Sequence, residues 1–213
     1  WVFGQFIDHD IALTMNAGMQ EHDEMLVIVP PVDDEYFTPG NMIFMMRNRH
    51  IEGTGTEPGN PRRYSNEITS FIDGSAIYGS DEIRATWLRT FSGGKLKTSV
   101  GNMLPWNTTD GMFNSPVDPD APFMEDATHS NKKMYVAGDI RANENPLLLT
   151  LHTVFVREHN RICDDLIVLN PDWDDETLFQ EARRLNIAML QSVTYNEWLP
   201  AMGIEIPKYQ GYN

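Results

Sequence analysis

Between Pro146 and the Asn170-Pro171 dipeptide runs a long stretch without an internal proline or glycine, and it constrains the fold more than any other feature. Leu147, Leu151, Val154/Phe155, Ile162, Leu166 and Leu169 recur along it at spacings that share one side of a helix. The residue before a proline is turned away from helical geometry, so this helix starts after Pro146 and ends at Asn170. A second helix is predicted from near Asp174/Asp175, with Leu178, Ala182, Leu185, Met189 and Val193 on one face. Elsewhere the elements are shorter. Segment 1–15 reads as a short helix running into an acidic loop. Ser80 can cap a helix whose first turn carries Asp81 and Glu82 and whose stripe is Ile83, Trp87, Leu88 and Phe91. Residues 16–66 read as mostly irregular, broken at Pro30-Pro31, Pro39-Gly40 and Pro58-Gly59-Asn60-Pro61, and residues 93–133 as loop-rich. Strand patterns are weak and short, so the expected class is mainly α.

Composition sets outer bounds. With 213 residues, 41% hydrophobic and 22% charged, the chain suffices for one globular domain with a core. It opens at Trp1, already inside a helical pattern, and closes on a loop-like Tyr209–Asn213 tail. Residues 1–213 are therefore read as a single partial domain, truncated at both ends. No run approaches the about 18 consecutive apolar residues of a transmembrane helix. Acidic residues outnumber basic ones 31 to 16, a formal charge of −15, which argues against nucleic acid and anionic membranes as partners. Cys163 is the lone cysteine, so no intrachain disulfide and no cysteine-based metal cluster can form; it reads as a small buried apolar group.

Three segments carry candidate chemistry. In Gln5-Phe6-Ile7-Asp8-His9-Asp10, successive helical side chains point about 100° apart, so Asp8, His9 and Asp10 address three separate partners. Gln5, four residues before His9, shares its face. The same hexapeptide also reads as a helix end emerging into water. Thr69-Ser70-Phe71-Ile72-Asp73-Gly74-Ser75 offers hard oxygens at alternate positions from Thr69, Asp73 and Ser75, with a backbone carbonyl from Phe71. Such a loop can wrap a Ca²⁺ ion, with Asp10 as a second carboxylate, or can be an ordinary Asp/Gly/Ser turn. In Gly138-Asp139-Ile140-Arg141-Ala142-Asn143-Glu144, Arg141 and Glu144 are spaced for a local ion pair.

Taken in order, these segments resemble the animal-type haem peroxidases of the myeloperoxidase, lactoperoxidase and peroxidasin kind. Gly4–Asp10 is similar to their distal-histidine helix, Thr69–Ser80 to their calcium loop, and Ala137–Glu144 to their catalytic-arginine segment. Leu151-His152-Thr153, Arg157-Glu158-His159-Asn160-Arg161, Gln180–Arg183 and Tyr195–Pro200 continue the resemblance over most of the chain, while loops 16–60 and 95–133 carry little of it. The resemblance implies the helical fold of the peroxidase–cyclooxygenase type, incomplete here. It implies haem b and Ca²⁺ as cofactors, with hydrogen peroxide and a small reducing donor (halide, thiocyanate or phenol) as partners. His9 resembles the distal histidine, Gln5 its neighbour in the peroxide or halide pocket, and Arg141 the distal arginine. Asp8 and Glu144 match carboxylates that can form ester bonds to haem methyls. Asp10, Thr69, Phe71 through its carbonyl, Asp73 and Ser75 match the calcium ligands.

The residue types suit that chemistry. A neutral His9 can take a proton from peroxide and return it to the departing oxygen, and Arg141 can stabilise the charge that develops. The chain also departs from the pattern. The proximal iron ligand is expected beyond Asn213, since His159 is not assigned that role. Asn145 stands where the myeloperoxidase branch has a methionine, so at most two covalent haem links are expected. His152 and His159, seven apart on one helix, read as structural rather than as a metal pair; His22, His50 and His129 read as surface loop residues. A fatty-acid dioxygenase of the same superfamily is the rival activity; those enzymes typically lack the arginine and both ester carboxylates. A non-catalytic, calcium-stabilised adhesion or matrix module is the rival without activity. A secreted or extracytoplasmic location follows from the resemblance alone, and the Asn107-Thr108-Thr109 sequon adds little to it.

Overall fold

The computed structural model describes residues 1–15, 25–126, 133–208 and 210–211. His22 and His129 lie outside the described residues. Two compact units are present, one formed by Trp1–Ile11 with Ile68–Asn213 and one by Ala12–Glu67. The first unit holds helices α1 (Val2–Ile11), α2 (Ser75–Tyr78), α3 (Glu82–Leu88), α4 (Pro146–Leu169) and α5 (Asp175–Val193). A π-helical turn, Thr194–Trp198, and a short α6, Leu199–Ala201, follow. The fold is mainly α. Among the described residues no helix is long and apolar enough to cross a membrane.

The two long helices form where expected, for local reasons. The Asn145 side chain accepts from Leu148 N at 2.8 Å, with Pro146 in the first turn of α4. The Asp174 side chain accepts from Thr177 N at 2.8 Å and caps α5. Ile162 and Cys163 pack with Ala182, and Asn186 donates to Phe155 O at 3.0 Å, so α5 runs back along α4.

The buried faces differ from the apolar count. On α4 the buried line is Leu148, His152, Phe155, His159, Ile162 and Cys163, whereas Leu147, Val154 and Leu169 are exposed. The line moves because two histidines find backbone acceptors inside the core. His152 Nδ1 meets Ala76 O at 3.0 Å and His159 Nε2 meets Gly94 O at 2.9 Å. On α5, Leu178 and Ala182 are buried as expected, joined by Phe179, Asn186 and Leu190, while Leu185 and Met189 face outward. Asn186 takes a core place because its amide bridges Phe155 O and Tyr78 Oη. The cap of α3 is Asp81 rather than Ser80, accepting from Arg84 N at 2.8 Å. That helix ends at Leu88, too early to bury Phe91, and its inward residues are Arg84 and Leu88 while Ile83 is exposed.

The second unit contains a two-stranded antiparallel sheet, β1 (Met25–Ile28) with β2 (Ile43–Met46), in register Met25↔Met46 to Ile28↔Ile43. The sequence pattern predicts a mostly irregular segment here. Its strands are short, with side chains exposed on both faces, so no alternation marks them. The base of the unit is closed by Glu67 N donating to Leu13 O at 2.8 Å and Leu13 N donating to Asn66 Oδ1 at 2.8 Å. His50 forms an isolated bridge with Tyr64 and is half-buried, not a free surface residue.

Candidate functional site

The position of α1 is set by Phe6. Its ring stacks on Phe155 at 5.3 Å and meets His152 edge-on at 4.9 Å, which fixes the rotation of the helix against α4. With Phe6 and Ile7 inward, Asp8 emerges into solvent, while His9 and Asp10 are buried on two other sides. Three adjacent polar residues therefore do face three environments.

His9 sits between two acidic residues. Its Nε2 lies 3.8 Å from Glu144 Oε2 and its Nδ1 lies 3.8 Å from Asp139 Oδ1. Among the described residues Nδ1 has no hydrogen-bond partner. Burial first, and the Arg141 charge second, hold the imidazole below its ordinary pKa against the pull of Asp139, Glu144 and Asp8. The ring is thus kept neutral and able to accept a proton.

Arg141 does not make the local pair with Glu144 that the spacing suggests. Its Nε and backbone N each donate to Asp139 Oδ1 at 2.8 Å, and its Nη2 donates to Asp139 Oδ2 at 2.8 Å. Nη2 also donates to His9 O at 3.2 Å. Burial opposes the charge on Asp139, but the hydrogen bonds and charge of Arg141 outweigh it and hold that carboxyl below the usual range. The i, i+2 geometry wins because a fork-shaped guanidinium can grip one carboxylate with two nitrogens. Glu144 instead accepts from Gln5 Nε2 at 2.7 Å, and Gln5 Oε1 accepts from Asn145 Nδ2 at 3.1 Å. Gln5 is thereby clamped to the start of α4.

His9, Arg141 and Glu144 line a cavity of about 230 Å³ together with Glu125. Gln5 and Asp8 line a second cavity of about 620 Å³ with Trp1, Gly4, Trp198 and Met202. Sequence reading missed Asp139, Glu125 and the bond from Asn145 to Gln5. The Asp-x-Arg spacing was a visible signal for the first; nothing local marked the others.

The Asp10 side of α1 meets the loop before α2. The buried Asp10 carboxylate accepts from Ala76 N at 2.8 Å and Gly74 N at 3.2 Å, and its backbone O accepts from Ser75 Oγ at 2.8 Å. Asp73 Oδ1 accepts from Thr69 Oγ1 at 3.0 Å and Ser75 N at 3.1 Å, and Thr69 Oγ1 lies 3.5 Å from Phe71 O. Asp10, Thr69, Phe71, Asp73 and Ser75 are therefore gathered in one place. Burial, with Asp73 adding to it, pushes the Asp10 carboxyl up to about 6 against the pull of its backbone donors. Two acidic groups facing hydroxyl and carbonyl oxygens suit a hard cation such as Ca²⁺. Among the described residues no group of three His, Cys, Asp or Glu side chains is placed to hold a metal ion, so a cation here would rest on two carboxylates plus neutral oxygens. Gly138 seats the arginine segment on this loop, since a Cβ there would lie 2.4 Å from Ser75 O.

His152 and His159 do not form a metal pair; each ring meets a backbone carbonyl. Gly94 O can only accept, so His159 Nε2 carries the proton, and Nδ1 accepts from Tyr78 Oη at 3.0 Å. Tyr78 Oη in turn accepts from Asn186 Nδ2 at 2.9 Å. Cys163 is buried beside this network, its thiol 3.3 Å from Gly94 O and pushed up to about 12 by burial, which leaves it unreactive.

Comparison with known proteins decides the family. A match to the animal haem peroxidase family extends over residues 1–212. The chain belongs to the animal haem peroxidase family. This animal haem peroxidase segment is 34% identical to peroxinectin A of Dictyostelium discoideum over 226 aligned residues, covering all of the chain and 40% of that protein. The solved structure of peroxidase A from Dictyostelium discoideum is similar over the whole chain, with TM-score 0.83 and 31% identity, and the chain spans 42% of it. A fatty acid alpha-dioxygenase from Oryza sativa, solved with palmitic acid, is similar over 92% of the chain with TM-score 0.64 and 25% identity, at 27% of its own length. The chain thus spans less than half of each of these proteins. Membership of the family implies haem. The residues fit that group: a neutral, buried imidazole and a guanidinium face one cavity that Glu144 also lines, and Asp8 lines the second cavity, on the same helix as His9.

Proposed function

We propose that this chain forms the peroxide-handling wall of a haem peroxidase that oxidises a small donor with hydrogen peroxide. The observation that carries the reading is the neutral His9 imidazole beside the clamped Arg141 guanidinium, both lining one cavity. When bound, haem would supply an iron centre for peroxide and the electrons for cleaving the O–O bond. With that group bound, His9 Nε2 would take a proton from one peroxide oxygen and return it to the other, which would leave as water. Arg141 supplies positive charge where negative charge develops, already oriented by Asp139 before the reaction. Gln5, held by Glu144 and Asn145, presents a fixed amide at the neighbouring cavity. Asp8 and Glu144 are the carboxylates available for ester attachment to haem methyls. Ca²⁺ held by Asp10, Thr69, the Phe71 carbonyl, Asp73 and Ser75 neutralises two carboxylates and pins α1, and with it His9.

The test is His9→Ala in the haem-loaded protein. The rate of reaction with peroxide falls by about 10²–10⁴-fold while haem remains bound, as expected for loss of a general acid–base group. An unchanged rate overturns the assignment. Extraction of the same preparations with acidic acetone reports whether Asp8 and Glu144 hold the haem covalently.

A further inference from the structure

Glu125 is the fourth residue lining the cavity of His9, Arg141 and Glu144, and the reaction outlined above gives it no task. Its place is built by the fold. The backbone N–H of Glu125 donates to Ile140 O at 2.9 Å, one residue before Arg141. Its neighbour Met124 is buried in the core. Arg84, buried on α3, donates to Phe123 O at 2.7 Å and to Ala137 O at 2.9 Å. One guanidinium therefore ties the segment entering Glu125 to the segment entering Arg141. The Glu125 side chain is solvent-exposed and so stands at the open side of the cavity.

Among the described residues that line this space, the charged side chains are Arg141, Glu144 and Glu125. Arg141 is paired with Asp139, so at the distance of the cavity mouth the two charges largely cancel, although the guanidinium still acts on atoms in contact with it. Glu144 and Glu125 remain, both acidic and both exposed. If Glu144 gives up its charge to an ester bond, Glu125 is still there. The cavity mouth is then negative in either case, in a chain whose formal charge is −15. A like-charged ligand approaching a low-dielectric cleft is repelled, and an opposite charge is drawn in.

We propose that Glu125 selects donors by charge, favouring neutral phenols and aromatic amines over halide and thiocyanate anions. The proposal rests on the peroxidase reading above and names the donor class for it. It is tested in the haem-loaded protein with Glu125→Gln and Glu125→Lys. The quantity read is the ratio of kcat/KM for iodide to kcat/KM for guaiacol, a neutral phenol. That ratio rises about tenfold in the Gln variant and further in the Lys variant, and the rise shrinks at high salt. In parallel, a calorimetric titration with thiocyanate shows Kd tightening in the same order. A ratio and a thiocyanate Kd that stay within twofold of the parent, or move the other way, overturn the proposal. If the parent oxidises no donor at all, the peroxidase reading fails, and the thiocyanate titration still decides the role of Glu125.

Discussion

Asp10 and Asp139 flank the same histidine, one following His9 in the chain and the other facing its Nδ1 at 3.8 Å. Both carboxylates are buried, at 0% and 4% exposure, yet their acidities move in opposite directions. Burial dominates at Asp10 and pushes it up to about 6. At Asp139 burial opposes ionisation too, but Arg141 overcomes it. The hydrogen-bond donors around Asp10 are backbone amides and a hydroxyl, all neutral. A buried carboxylate needs a counter-charge, and the fold supplies one internally at Asp139. At Asp10 it gathers neutral donors and further oxygens around the acid instead, with no cationic side chain among its hydrogen-bond partners in the described residues. One side of His9 is thus finished by the chain, and the other side is where the proposed calcium would supply the missing charge.

Removing the internal counter-charge is the most severe way to probe this contrast. Asp139→Asn leaves the Arg141 guanidinium without its grip, and breaking such a pair costs about 3–5 kcal/mol when both partners are buried. Arg141 keeps 15% of its side chain exposed, so the lower end of that range is expected here. The rate of reaction with peroxide falls by about a hundredfold, because a misplaced guanidinium no longer meets the developing charge. A double-mutant cycle with Arg141→Met separates positioning from general damage. Strong non-additivity in the peroxide rate ties the two residues together, and additive losses break the comparison.

Supplying the external charge is the next largest lever. Calcium at a thousandfold excess over its Kd stabilises the fold by about 4 kcal/mol if it binds only the native state. For a chain of this size that corresponds to about 10 °C in Tm, read by calorimetry with calcium against a chelator. Asp10→Asn removes the buried negative charge and with it the calcium response. A calcium-dependent rise that persists in that variant places the ion elsewhere, and Asp10 is then not the unfinished half of the pair.

What was legible in the sequence follows the same division between local and assembled features. Both long helices, their proline punctuation and the His9 and Arg141 segments are local patterns, and they were readable. The inward faces of α4 and α5 were not, because His152, His159 and Asn186 displace leucines from the core. A polar side chain enters a core only when its partner is there, and Ala76 O, Gly94 O and Phe155 O come from distant parts of the chain. Arg141 shows the same limit at short range. Charge spacing offered Glu144, whereas the folded chain sends Glu144 to Gln5, which lies 139 positions away in the sequence. Glu125 was invisible because its place in the cavity depends on Arg84 clamping two carbonyls.

His159 extends the comparison to a base and reverses the sign. It is buried between Tyr78 Oη and Gly94 O, and burial, then the charges of Arg89 and Arg183, push it down to about 4 against the Gly94 hydrogen bond. The unfolded chain, with a histidine near 6.5, therefore binds more protons below that pH than the folded one. Stability from this group is complete above about pH 6.5 and is lost progressively as pH falls to about 4, by about 3 kcal/mol. Protonation at Nδ1 would also set two donors against each other, since Tyr78 Oη already donates there and receives Asn186 Nδ2. Denaturant unfolding of the metal-free protein between pH 7 and pH 4 measures the slope. His159→Gln is less stable than the parent at pH 7, because it loses the ring contacts with Tyr78 and Phe179, but its stability falls less steeply with acid. Identical slopes in the two proteins would show that burial does not set the charge of His159, and would weaken the same reasoning as applied to Asp10.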